Sequence, residues 1–370
     1  METNFTILSK YLKKILEQDE NSYVLFADGL EHYILKDYKK TCSKNILKRI
    51  INIGISEQNA ISMAAGLGLS GKTPYVVMFG PFMVMRAAEQ IKLDVCYTNA
   101  NVKLIATNTG FAGTFGGGYS HCLIEDIAML SAMPNIQIYS PSPDKNEFEA
   151  ILNYAHNHKG ADYIRLNCAH APAEKRLHYN IELNKIAKTN EGKKSAIIAT
   201  GYGVELAWEY ANIIKENLDY TPTIYSAYCL KPFDEKTILE IIEKNIPIIT
   251  IEEHAQGGLA SLVSMVIAKS GKKARFLPIY SKTDNYNLVL MNNDACQRTF
   301  LDKNNFFSKY FALFETKNYG IKKEFEFNKK QEFTTSYNAF GIPILTKCKR
   351  VKHKKGKLKN KYYIFNQRIL

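Results

Sequence analysis

Twice along this chain, short apolar runs of strand length alternate with amphipathic helical runs, and no other feature limits the fold so tightly. In the first series strands are expected near Tyr23–Ala27, Tyr75–Phe79, Val102–Thr107, Ile136–Tyr139 and Tyr163–Leu166. Helices are expected near Phe5–Leu16, Glu57–Leu69, Pro81–Asp94, Cys122–Ala132 and Asp144–His156. The polar stretch Glu182–Lys193 reads as a linker. A second series follows, with strands near Ser195–Thr200, Thr223–Ser226, Ile248–Ile251 and Arg275–Pro278, and helices near Gly203–Asn217, Asp234–Glu243 and Ala255–Ala268. Such alternation predicts an α/β protein of two consecutive domains, each a mainly parallel sheet flanked by helices. The expected division is 1–181, a linker at 182–193, 194–315, and a basic aromatic tail at 316–370.

A chain of 370 residues can bury two cores. No apolar run approaches the ~20 residues that span a bilayer, and the N-terminus does not read as a signal peptide. The seven cysteines are scattered, odd in number and without a Cys-x-x-Cys pair, which suits reduced thiols in a cytoplasm rather than disulfides or zinc. The net charge of +13 is concentrated at one end. Residues 315–370 hold fifteen Lys/Arg against four Glu, a surplus of +11, which leaves +2 for the rest.

The stretch Ile53-Gly-Ile-Ser-Glu57-Gln-Asn-Ala-Ile-Ser-Met-Ala-Ala-Gly66 sets one acid at the mouth of an otherwise small or apolar helix. Ser56 is the expected N-cap, Ala60, Met63, Ala64 and Leu67 the expected inner face, and Gly71 the expected stop. A carboxylate there can make one directed hydrogen bond; it can equally be a first-turn Glu favoured by the helix dipole. Further on come Phe79-Gly-Pro-Phe82-Met-Val-Met85-Arg86 and the Gly-rich loop Thr109-Gly110-Phe-Ala-Gly-Thr-Phe-Gly-Gly-Gly-Tyr-Ser-His121. That loop lacks the Lys and the spacing of a P-loop.

In this order the motifs resemble the thiamine-diphosphate enzymes of the transketolase family, over their pyrimidine-binding and C-terminal domains, from about residue 5 to about residue 315. The resemblance implies that Glu57 bonds N1′ of the cofactor's aminopyrimidine and favours its imino tautomer. Phe79, Phe82 and Met85 would wall that ring, and Asp28, at the end of the first strand, would stand on the cofactor side. His121 would contact oxygens of the substrate. Arg86 matches an Arg common in the deoxyxylulose-phosphate synthase branch. Each residue has an ordinary account too: Phe packs cores, Asp-Gly makes turns, a His at a helix start is a surface residue.

The departures from the family bear on specificity. Phe115-Gly116-Gly117 stands where transketolases carry Glu-Asp-Gly, and Asn108 or Thr109 replaces a second His. Asn167 aligns with the family's phosphate-binding Arg, with Arg165 close by. Asn108, Asn167 and Arg165 are therefore the further candidate substrate residues. No Gly-Asp-Gly occurs in the sequence, although the family holds Mg²⁺ and the diphosphate with Gly-Asp-Gly…Asn in an N-terminal domain. The chain thus resembles the C-terminal subunit of a split transketolase. The resemblance implies a partner subunit carrying the metal and diphosphate, a dimer of heterodimers, and ketol transfer between sugars or sugar phosphates. A pyruvate-decarboxylating subunit, like deoxyxylulose-phosphate synthase or a 2-oxoacid dehydrogenase β chain, is the alternative; a non-catalytic membrane-associated scaffold is the third.

Leu230-Lys-Pro-Phe-Asp234 and Ile251-Glu-Glu-His254-Ala-Gln-Gly-Gly258 recur in the family's C-terminal domain. The Glu252–His254 cluster lacks a further spaced ligand, so no metal is assigned to this chain. In the tail, Tyr337-Asn-Ala-Phe340-Gly-Ile-Pro-Ile344-Leu345 is echoed by Tyr362-Tyr-Ile-Phe365-Asn-Gln-Arg-Ile369-Leu370 across a basic block. It resembles the tails of bacterial surface-glycan glycosyltransferases and suits an anionic membrane surface. Disorder or RNA binding are the competing readings, RNA the weaker. The expected location is the cytoplasm, or the inner face of its membrane.

Overall fold

The computed structural model describes residues 3–27, 34–35, 37–110, 119–167 and 181–281, and strand segments between 321 and 368. The strands in chain order are β1 (Ser22–Phe26), β2 (Ile50–Asn52), β3 (Thr73–Phe79), β4 (Lys103–Thr107), β5 (Ile136–Tyr139) and β6 (Ala161–Arg165). Then come β7 (Ala187–Lys188), β8 (Ala196–Ala199), β9 (Thr223–Ser226), β10 (Cys229–Lys231), β11 (Ile248–Ile251) and β12 (Phe276–Ile279). One sheet has the order β10-β5-β6-β4-β3-β1-β2 and a second the order β12-β11-β8-β9-β7. All pairings in these two sheets are parallel except β10 on β5 and β7 on β9. The expected α/β architecture is present.

Alternation along β3 shows why the first sheet is covered on both sides. Tyr75 and Val77 pack with Ile7, Leu8 and Leu12 of the Asn4–Gln18 helix on one face. Val76 and Met78 pack on the other face with Ala60 and Ala64 of the Glu57–Leu69 helix. That second cluster also takes in Ile198, Ile248 and Val263 from beyond residue 194, so the two sheets share one core. The antiparallel strand β10, following β9 in the second series, closes the edge of the first sheet by pairing Cys229 with Tyr139.

Parallel strands deliver their following loops to one edge, which is where α/β proteins place ligands. Here β2 leads to Glu57, β3 to Phe79–Arg86, β4 to Asn108–His121, and β6 to Asn167. The opposite edge is structural: the buried Lys103 Nζ donates to Asp162 at 2.6 Å and to the carbonyls of His158 and Gly160.

Local details depart from expectation in several places. Ser56 makes no capping hydrogen bond, and Met63 is 38% exposed rather than on the inner face, which Ile61 and Ala65 share instead. Gly71 does end the helix, at φ +82°, with Lys72 N–H donating to Leu67 O. The run expected as one helix at 81–94 is two π-helical turns, Phe82–Arg86 and Ile91–Tyr97, around a short α turn. The stretch read as a linker contributes β7. In the tail, Ile321–Phe327, Phe333–Ala339, Ile342–Lys352, Leu358–Ile364 and Gln367–Arg368 pair as an antiparallel meander. Among the described residues no helix is long and apolar enough to cross a membrane.

Candidate active site

Glu57 begins its helix with its side chain turned inward, and the residue is only 3% exposed. Its Oε2 accepts from Arg86 Nη1 at 2.7 Å, and the Arg86 side chain is 47% exposed. This pairing takes the carboxylate out of water without stranding it, since a buried charge needs a partner. Arg86 reaches back because the π turn Phe82–Arg86 stacks its guanidinium carbon 4.9 Å from the centroid of the Phe82 ring.

Phe82 then meets His121 with ring centroids 5.2 Å apart, nearly perpendicular at 80°. Phe79 closes the triangle, 6.2 Å from Phe82 and 6.0 Å from His121. Such edge-to-face contacts are the favoured geometry for aromatic rings. His121 Nδ1 lies 3.0 Å from Ser120 Oγ. An open cleft of about 640 Å³ runs past this group, lined by Phe82, Met85, Arg86, Ser120, Cys122 and Glu125. Residues distant in sequence thus converge: the buried acid, the aromatic wall, Met85 and the His.

Asp28 and loop residues 111–118 lie outside the described residues. Asn108 is buried with a left-handed backbone, φ +58°, immediately after β4. Asn167 is also buried; its Nδ2 donates to Thr109 O at 3.2 Å and to Glu253 Oε2 at 2.7 Å. Arg165 sits differently from a substrate-facing cation. It is 3% exposed, and its Nε pairs with Asp126 at 2.9 Å while Nη2 donates to Leu123 O and Glu253 O. Its place is the junction of the two sheets. Sequence reasoning proposed it from its nearness to Asn167 along the chain, which carries no information on side-chain direction.

The Glu252–His254 cluster points three ways, and no group of potential metal ligands is found among the described residues. Glu252 accepts from the N–H groups of Leu259 and Ala260, capping the Leu259–Ser270 helix. Burial pushes its carboxyl up to about 7. His254 Nε2 accepts from Ile127 N–H at 3.0 Å, at the start of the Asp126–Ser131 helix, and Nδ1 faces Ala255 O at 2.7 Å. Burial pushes this imidazole down to about 4, so it is neutral and can accept.

Sequence reasoning did not anticipate the Glu57–Arg86 pair, nor Cys122 and Glu125 on the cleft wall. Arg86 stood out in the sequence by its match to an Arg of the deoxyxylulose-phosphate synthase branch, which says nothing of a pairing with Glu57.

The first part of the chain, residues 3–168, matches the pyrimidine-binding domain of transketolase, and residues 184–289 match the transketolase C-terminal domain. The chain is 35% identical over 231 residues to one subunit of the apulose-4-phosphate transketolase of Actinobacillus succinogenes, covering 62% of this chain and 73% of that protein. It is 29% identical over 272 residues to the 6-deoxy-6-sulfo-D-fructose transketolase subunit SqwH of a Clostridium species, covering 73% and 80%. Similarity to the 1-deoxy-D-xylulose-5-phosphate synthase of Clostridium perfringens reaches 32% over 251 residues, but spans only 38% of that longer protein. Among solved structures, an inactive β4 tetramer of a split-gene transketolase superposes with a TM-score of 0.67 at 28% identity, covering 81% of this chain and 95% of that one.

Proposed function

The chain belongs to the transketolase family, and from that membership we propose that it is the C-terminal subunit of a heteromeric, thiamine-diphosphate-dependent enzyme moving a ketol unit between sugars or sugar phosphates. The observation that carries this reading is the buried Glu57 carboxylate, paired with Arg86 on a cleft that Phe82 and Arg86 line, with the His121 ring set edge-to-face on Phe82. Those residues fit an aminopyrimidine. Such a ring needs one anionic hydrogen-bond acceptor held away from water and a flat apolar wall, and both are present.

Bound thiamine diphosphate would supply the carbanion chemistry for cleaving and forming a carbon–carbon bond next to a carbonyl. The chain's own contribution is placement. Glu57 accepts a hydrogen bond from a ring nitrogen in a preorganised site. Arg86, bonded to Oε2 at 2.7 Å, holds that carboxylate in place before the ring arrives. Phe79 and Phe82 exclude water and fix the ring plane. His121 donates to, or takes a proton from, a sugar hydroxyl. Asn108 lies at the same sheet edge as a further substrate-side candidate, and Asp28 is assigned to the cofactor side by resemblance.

Mg²⁺ and the diphosphate fall to an N-terminal partner, because this sequence holds no Gly-Asp-Gly. That division of labour is supported by relatives that are themselves single subunits of a transketolase, and by a structural neighbour whose transketolase gene is split. A dimer of heterodimers would be the assembly. The aromatic and basic tail supports a role in surface-polysaccharide precursor synthesis, at an anionic membrane face.

The test is co-expression with the N-terminal subunit and a ketol-transfer assay. Glu57→Ala is expected to lower kcat by at least about 100-fold, the scale of losing one preorganised electrostatic contact. Undiminished transfer by that variant overturns the assignment. The identity to deoxyxylulose-phosphate synthase supports a second reading, in which pyruvate is the donor. A donor screen of ketose phosphates against pyruvate separates the two.

A further inference from the structure

Besides the shared core and the β10–β5 pairing, the second series of elements meets the first through the turn Glu252–Gly258, and that turn lands on both stems of the loop that ends in His121. Gly110 and Leu123 form an isolated bridge, with Gly110 N–H donating to Leu123 O at 2.8 Å, so the loop is pinched at its base. Behind the first stem, the Glu253 carboxylate lies so close to Gly110 that a Cβ built there would be 2.5 Å from Glu253 Oε2. The same Oε2 accepts from Asn167, which also holds Thr109 O. Behind the second stem, Arg165 Nη2 joins Leu123 O to Glu253 O, and Ala255 N–H donates to Ile124 O at 2.7 Å. Each of Arg165, Asn167 and Glu253 is no more than 3% exposed.

We propose that Glu253 is a positioning residue for His121: from the far side of the junction, with Asn167 and Arg165, it clamps the loop base and so sets the ring against Phe82 and Phe79. The inference rests on the functional reading above for its consequence, but not for its geometry. It gives the Glu-Glu-His segment a task beyond capping. It also gives Asn167 and Arg165 roles through the loop rather than by touching sugar.

The first measurement uses the full chain alone, labelled with ¹³C-histidine, the His121 resonance being assigned by its loss in His121→Gln. Phe82 and Phe79 displace this resonance through their ring currents. Glu253→Ala and Asn167→Asp, the latter setting a second carboxylate against Glu253, are expected to return it toward the value of an unstacked imidazole. Glu253→Gln keeps an acceptor oxygen and is expected to preserve it. In the enzyme assembled with its N-terminal partner, Glu253→Ala is expected to raise KM for the ketose or lower kcat/KM by about 10-fold to 100-fold, the cost of an ångström-scale misplacement, with the thiamine diphosphate Kd little changed. A His121 resonance unmoved in Asn167→Asp and Glu253→Ala overturns the proposal, as does equal loss in Glu253→Gln. If the resonance moves as expected while Glu57→Ala leaves transfer intact, the functional reading falls and the clamp stands. The reverse pattern removes the clamp alone.

Discussion

Glu252 and His254, two residues apart, are held by burial in opposite directions, and their pH dependences oppose each other. His254 moves from an ordinary 6.5 down to about 4. Its contribution to stability is whole above about 6.5 and is lost as pH falls toward 4, because the unfolded chain then binds the extra proton. Glu252 moves from 4.5 up to about 7, so its contribution is whole below 4.5 and is lost as pH rises through 7. Each span corresponds to about 3 kcal/mol. Between about pH 4.5 and 6.5 the two slopes cancel. Thermal melts of Glu252→Gln should therefore expose the His254 slope, with Tm falling as pH is lowered across that window. In His254→Gln the slope should invert, with Tm falling as pH is raised. Parallel slopes in both variants would contradict the assignment. Gly110 makes the same junction intolerant in a different way. Its φ of +72° already disfavours any side chain, and Glu253 fills the space where one would go.

At the scale of elements, the sequence was most readable where period and length agreed. The Glu57–Leu69 helix, β5 and β11 match their expected bounds because a continuous apolar run or helical period ends abruptly at Gly, Pro or a polar cluster. Three kinds of element were not legible. The strand Ile50–Asn52 is three residues long and exists because β1 offers an edge to pair with. The π turns read as plain helix, since the sequence pattern does not reveal one extra residue per turn. Strand β10 crosses to the other sheet, a choice made by long-range pairing that local propensity does not encode. Within the candidate site, motif order singled out Glu57, Phe79, Phe82 and His121, which the structure brings together. The side-chain directions of Arg165 and Arg86 were not legible, because they depend on which partner the fold brings near. The β10 crossover carries a prediction. A fragment ending at residue 181 loses the cover on β5 and leaves Ile136–Tyr139 as an open, apolar edge. It is expected to aggregate or to melt at lower temperature than a fragment of residues 1–281, as read by light scattering and circular dichroism. Equal solubility and Tm would show that the first sheet is independent of β10.

At the scale of the whole molecule, several exposed apolar side chains among the described residues sit on the helix that Glu57 begins and on the turns that it packs against. The Glu57–Leu69 helix packs on the Ile91–Tyr97 turns, and Ser62 Oγ bonds Asp94 across them at 2.5 Å. Around that bond Met63 is 38% exposed, Leu93 46% and Tyr97 79%, and Ile55 just ahead of Glu57 is 76% exposed. Exposed large apolar side chains on two packed elements are of the kind that a partner chain covers. Under the proposed division, with the cofactor's pyrimidine end held by this chain and its diphosphate end by another, the cofactor would lie between the two and the covering chain would sit against this face. Tyr97 is the strongest single anchor on it, an aromatic with a polar tip of the kind that dominates interface energetics. Tyr97→Glu together with Leu93→Glu is expected to weaken association with the N-terminal partner about 30-fold or more, since each truncated anchor costs on the order of 2 kcal/mol. Both positions are exposed, so the Tm of the isolated chain should hardly change. Calorimetric titration of one protein into the other reads the first quantity and a melt of the chain alone reads the second. If the doubly charged variant binds its partner as tightly as the parent, the partner covers some other face, and Glu57 does not lie at the boundary between the two chains.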